Sequence, residues 1–174
     1  MEDAGAAVTG ARPEGLERGQ EIMLGLMGAD GCEGLMQLPK MAGTTQLSAL
    51  FQATVDQLKP YASSSARLSA LLVERDLYRL QVLSFFHGYD VILCPTCAGP
   101  APEHGSYPAN LRWFNYTMAH NLSGCPGAVV RCGESAEGLP IGVQIVAAPW
   151  REHVALAVAA HLESVLGGWK RPPL

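Results

Sequence analysis

The sequence predicts an α/β domain in which a few mixed β-strands are packed by α-helices and the sheet is incomplete. Three observations predict it. Asp90 to Cys94 holds a short apolar run, "VILC", which suits a buried strand. Ile141 to Ala147, "IGVQIVA", is a stronger strand, with β-branched residues alternating around Gln144. Stretches with apolar residues three and four apart lie on both sides of these runs. The resulting order is helices, strand, helix, strand, strand, helix.

The first helix is read over Glu14 to Met27, with Leu16, Ile22, Met23, Leu26 and Met27 on one side. Gly28 and the following "GADGC" end it. A weaker helical stretch runs from about Gly34 to Leu58, interrupted at Pro39 and Gly43. Lys59-Pro60 is a break, because the ring of Pro60 disfavours helix for the residue before it. The clearest helix follows "YASSSARL", with one face apolar and the other charged. One of Ser63, Ser64 and Ser65 caps it, and Gly88 ends it.

Pro95 closes the first strand, and "CAGPAPEHGSYPAN" is a loop rich in proline and glycine. Asn110 to Leu122 reads as a helix, with Leu111, Phe114, Met118 and Leu122 at spacings of three and four. Gly127 to Cys132 is a second strand, and "GESAEGLP" is short enough to join it to Ile141–Ala147 as a hairpin. Arg151 to Leu166 is an almost wholly apolar helix ending at Gly167-Gly168, and should be packed on most of its surface. Residues 1–13 and 169–174 read as frayed ends of a single domain, 1–174. A three-stranded sheet leaves edges unpaired, and an open edge invites another chain.

Only 16% of the 174 residues are charged, which argues for a real core and against disorder. The net charge of −4 comes without any Lys/Arg cluster, so nucleic acid is not expected as a partner. No apolar run approaches the ~20 residues that span a bilayer, and the acidic N-terminus has no signal-like core. The expectation is a soluble, cytoplasmic protein without a membrane partner, its five cysteines reduced.

Candidate chemistry centres on Cys94-Pro-Thr-Cys97 and His104. A thioredoxin-type thiol sits at a helix N-terminus, where the macrodipole lowers its pKa. Cys97 is instead followed by "AGPAP", and Cys94 ends a strand. A structural zinc needs four ligands, of which Cys94, Cys97 and His104 supply three. The favoured reading is one small thiol closing a strand and a second in a turn. His87, His104, His120, His153 and His161 are possible bases, but no G-x-S-x-G elbow accompanies them. His153 and His161 read as the polar face of the last helix, and the serines of "ASSSA" as helix caps.

"GLPIGVQIVAAPWREHVALAVAAHLE", Gly138 to Glu163, closely resembles the C-terminal end of the amidase signature family. "YDVILCPTCAGPAPEHG" is similar to that family's strand and loop, D-x-ϕ-ϕ-x-P-T-x-x-x-x-A-P with ϕ apolar. "NYTMAHNLSGCPGAVVRCG" resembles its T-x-x-x-N-ϕ-x-G-x-P segment leading into a strand. The resemblance runs from about Ala66 to Leu166 and implies a partial amidase-signature fold. It implies hydrolysis of a carboxylic amide by a serine nucleophile, helped by a second serine and a lysine, with backbone amides holding the oxyanion. No metal or cofactor is implied.

The family's lysine and its "GGSSGGS" segment have no counterpart here, since Lys40, Lys59 and Lys170 sit in no matching context. No catalytic residue is therefore carried over. The resemblance assigns Pro95, Thr96, Asn121, Gly124 and Pro126 to the wall of the substrate cavity. It makes the chain the C-terminal part of an amidase, inactive alone. The partner is then the N-terminal amidase half, in the same gene or a separate chain, or a second copy. A small amide would bind only in the complete enzyme. The alternative is a non-catalytic module that binds another protein through its sheet edge and apolar last helix. On the amidase reading, the C-x-x-C is incidental, and the missing half explains the open edges and the over-apolar last helix.

Overall fold

The computed structural model describes residues 1–106 and 111–171. Its helices are α1 (Gly19–Gly28), α2 (Glu33–Met41), α3 (Ala49–Leu58), α4 (Ser65–Phe85), α5 (Asn115–Ser123) and α6 (Glu152–Leu166). Its strands are β1 (Val91–Pro95), β2 (Gly127–Glu134) and β3 (Pro140–Ala147). The strand order is β1-β3-β2 and both pairings are antiparallel, so β3 is central. No helix among the described residues is long and apolar enough to cross a membrane.

The hairpin forms where the sequence places it. Gly138, at φ 81°, closes a turn in which its N–H donates to the Ser135 carbonyl. Gly138 leaves the turn in the left-handed region, which glycine takes at no steric cost. A bulge between Arg131 and Gly133 adds one residue to β2.

The sheet has two covered faces. Ile145 and Ala147 of β3, with Ala128 and Val130 of β2, meet Ala155 and Ala159 of α6. The opposite face carries Gln144 and Val146, both buried. Gln144 Nε2 donates to the Tyr116 carbonyl of α5 at 3.1 Å and lies 3.4 Å from Cys94 Sγ. That amide ties the sheet to the helical layer, and it explains why a polar side chain interrupts the strand's apolar run.

The helical layer has two clusters. Ile22, Tyr78, Val82, Ala119 and Leu122 join α1, α4 and α5. Leu24, Cys32, Val55 and Leu58 join α1, the segment after it and α3. Tyr78 donates its hydroxyl to the Ala119 carbonyl at 3.3 Å. Burial, with smaller contributions from Cys125 and Glu17, pushes its pKa up.

Several element readings need correction. The first helix starts later, at Gly19, after a 3-10 turn over Leu16–Arg18. Pro39 does not interrupt α2. It sits in the last turn, where the missing N–H forfeits only one bond of a helix that is already ending. Ser64 is the cap of α4, its hydroxyl accepting from the Arg67 N–H at 3.2 Å. That helix does not have one apolar face. Leu71, Tyr78 and Val82 are buried, while Val73, Leu77 and Leu80 on the opposite side are exposed. α6 is not enclosed either, since Leu156, Val165 and Leu166 are exposed. Gly167 caps it at φ 83°. Pro13, in the segment read as frayed, is fully buried. Residues 172–174 and Asn110 lie outside the described residues.

Candidate functional site

Two hollows hold the residues assigned to the cavity wall. The first, of about 570 Å³, opens where β1 ends. Pro95 and Thr96 line it, with the loop to Pro102, the rings of Trp113 and Phe114, and Pro140 to Gly142. Thr96 Oγ1 donates to the Gly142 carbonyl at 3.3 Å, which pins the loop to the central strand. The Ala98 N–H donates to the Trp113 carbonyl at 3.2 Å. The Trp113 ring lies so near Gly99 that a Cβ there would stand 2.8 Å from its Cη2. The result is a mostly apolar trough with few polar groups, the composition of a small-molecule site.

The second hollow, of about 380 Å³, forms where α5 turns into β2. Asn121, Gly124 and Pro126 line it, with Arg79, His120, Cys125, Pro149, Trp150 and Glu152. The His120 carbonyl organises the turn: it accepts from the Gly124 N–H at 2.9 Å, the Cys125 N–H at 3.2 Å and the Ser123 hydroxyl at 3.1 Å. Gly124 ends the helix at φ 72°, a conformation that a Cβ would strain. The Pro126 carbonyl accepts from the Ala147 N–H at 3.0 Å and locks the turn to β3.

The five residues assigned to one wall therefore fall into two hollows. Pro95 pairs with Val143, while Gly127, next to Pro126, pairs with Val146. The two positions are three residues apart on β3, about 10 Å along the strand. Arg79, Trp113, Phe114 and Trp150 are lining residues that sequence reasoning passed over. Trp150 alone carried a backbone oddity, φ 67° at a residue 87% exposed, and no sequence pattern signals that.

The thiols do not assemble a reactive centre. All five cysteines are free. Burial pushes the Cys94 thiol up, opposed by its hydrogen bond to Gln144, and the Cys125 thiol is likewise raised by burial. Among the described residues, no three His, Cys, Asp or Glu side chains gather where they could hold a metal.

His120 is the buried titratable group of the second hollow. Its Nδ1 has no hydrogen-bond partner among the described residues, and burial lowers its pKa. Its folded pKa lies below the unfolded value near 6.5, so protons bind the unfolded chain first. Stability should be constant above that value and fall as the pH drops below about 6.5, levelling off once the folded pKa is passed. Glu134, held below the usual carboxylate range by Lys170 and Arg131, loses its contribution only in more acidic solution. Urea midpoints between pH 7.5 and 5.0 check this. A slope that survives in His120→Gln would assign it to another group.

The comparisons with known proteins agree on one answer. A family model described as Amidase matches residues 17–156. The chain belongs to the amidase family. It is 37% identical to human fatty-acid amide hydrolase 2 over 103 residues, which is 58% of this chain and 19% of the relative. It is 32% identical to the 6-aminohexanoate-cyclic-dimer hydrolase of Pseudomonas sp. (strain NK87) over 139 residues, 71% of this chain and 25% of the relative. It thus spans about a fifth to a quarter of the length of these curated relatives. A solved 6-aminohexanoate cyclic dimer hydrolase superposes with a TM-score of 0.80 at 26% identity, covering 98% of this chain and 40% of the other. A solved fatty acid amide hydrolase, 20% identical, shares the fold with a TM-score of 0.76, over 95% of this chain and 35% of its own. The amidase fold continues well beyond the part that this chain represents.

Proposed function

We propose that this chain forms one side of the substrate cavity of an amidase and does not itself carry the reacting groups. One observation carries the reading. The chain matches the solved cyclic dimer hydrolase over nearly its whole length, yet among the described residues neither hollow is lined by a serine or a lysine. A serine nucleophile needs a base within hydrogen-bond reach, and these linings offer no such pair. Pro95 and Thr96 in one hollow, and Asn121, Gly124 and Pro126 in the other, then act by shape. They exclude water and orient an acyl or amine group against a nucleophile supplied by the rest of the fold.

The experiment is a hybrid enzyme in which this chain replaces the matched two fifths of the cyclic dimer hydrolase. The hybrid should hydrolyse a fatty-acid amide or the 6-aminohexanoate cyclic dimer, and the 174-residue chain alone neither. Turnover by the chain alone, abolished by substituting one of its serines, would sink the reading. So would a folded hybrid with no activity toward any amide.

The non-catalytic binding module is the second reading, favoured by the exposed Leu156, Val165 and Leu166 of α6 and by the edge strands β1 and β2. An active hybrid enzyme would count against this second reading.

A further inference from the structure

Helix α4 is apolar on two opposite sides. Leu71, Tyr78 and Val82 point into the protein and are at most 3% exposed. At 100° per residue, Ala66, Ala70, Val73, Leu77, Leu80 and Ser84 form a stripe across from them, bordered by Ser69 and Asp76. Successive members are four, three, four, three and four residues apart, the repeat by which one helix presents a seam to another. All six are exposed, with Val73 at 60%, Leu77 at 59% and Leu80 at 65%. Scattered exposed leucines need no explanation, but a regular row about 27 Å long does.

Charge borders the seam and is already neutralised within this chain. Glu74 pairs with Arg67 at 2.5 Å and with Arg18 at 3.3 Å, and Asp76 with Arg75 at 2.8 Å. The flanks leave little unpaired charge to attract an ionic partner, so what the seam presents is apolar. Its two alanines lie at the N-terminal end and its large residues, Val73, Leu77 and Leu80, further along, with Ser84 closing the row. A facing helix would approach closely at the first and interdigitate at the second.

We propose that this seam receives a helix from the part of the amidase fold that this chain does not contain. The proposal rests on the reading above and adds the surface on which the two parts meet. What favours that occupant over a second copy is the superposition: 98% of this chain matches the solved hydrolase, and 60% of the hydrolase remains outside the match. A fold of which two fifths are present must close its core against the remainder. The long helix with a covered inner side and a bare outer side offers such a closing surface.

The probe is the unmatched three fifths of the cyclic dimer hydrolase, made as a separate polypeptide and mixed with this chain. A photoreactive phenylalanine analogue at position 77 should cross-link into a helix of that polypeptide. The double variant Leu77→Asp/Leu80→Asp should reduce co-purification at least tenfold, while its own helicity and thermal unfolding stay unchanged because both side chains are already in water. A cross-link to a second copy of this chain, or none at all, overturns the proposal, as does a variant that co-purifies undiminished. Amide turnover is read on the covalent hybrid with the seam intact. A dead hybrid with a cross-linked seam would fault the functional reading alone, and an active hybrid with a free seam the docking alone.

Discussion

Gly28→Ala is expected to cost about 2 kcal/mol or more of folding stability, read as a lower urea midpoint. Gly28 is the last residue of α1, and a Cβ there would lie 2.4 Å from the Leu58 carbonyl oxygen and 2.8 Å from Tyr61 Cβ. Two effects compete. Alanine is a better helix former than glycine by about 1 kcal/mol. Overpacking a close contact costs about 1 to 3 kcal/mol, and more when the neighbour cannot turn aside. Here the nearest neighbour is a backbone oxygen in the segment that holds Leu58, itself fully buried. Relief requires α1 to move away from α3, which loosens Leu24, Cys32, Val55 and Leu58 together. Gly10→Ala is the control. Nothing lies within 4 Å of its added carbon, and its midpoint should shift by no more than about 0.5 kcal/mol. Equal midpoints for the two variants would mean that α1 does not pack this tightly.

What the sequence made legible was local. The serine cap of α4, the hairpin and the glycine end of α6 depend on neighbours a few residues away, and the structure has all of them, whereas Lys59 before Pro60 keeps a right-handed helical backbone and α3 tightens into a 3-10 turn over Lys59–Tyr61 instead of breaking there. The family was legible because three motifs keep their order along the chain, and the family match covers two of them whole and most of the third. What failed depends on distant partners. Val73, Leu77 and Leu80 look as buried as Leu71 and Val82 in any periodicity argument. Only the tertiary contacts say which side meets α1 and α5 and which meets water. The layout of the candidate wall was hidden for the same reason. Its two motifs gave no measure of their separation, which the register of β3 supplies. His120 stood among five histidines with nothing to distinguish it, because an orphaned ring nitrogen is a property of the packed state.

Ile145→Ala should be the most damaging single truncation in the sheet, costing about 2 to 5 kcal/mol. Ile145 is at the centre of β3, paired with Leu93 on one side and Ala128 on the other, and its side chain is inaccessible. Above it α6 presents Ala155 and Ala159, so the helix lies close and the isoleucine fills the space between. Alanine at 145 would face alanines, leaving a void that backbone on both sides prevents from collapsing. A domain of this kind has about 5 to 15 kcal/mol in all, so the loss should be visible in any unfolding curve. Leu77→Ala is the informative comparison. The residue is as aliphatic as Ile145 and sits in the longest helix, yet in the isolated chain its removal should cost no more than about 0.5 kcal/mol, because its side chain gains little from folding. The same change should become expensive once the seam of α4 is covered. A large cost in the chain alone would mean that a second copy already covers it, and the partner for that helix would have to be sought in self-association.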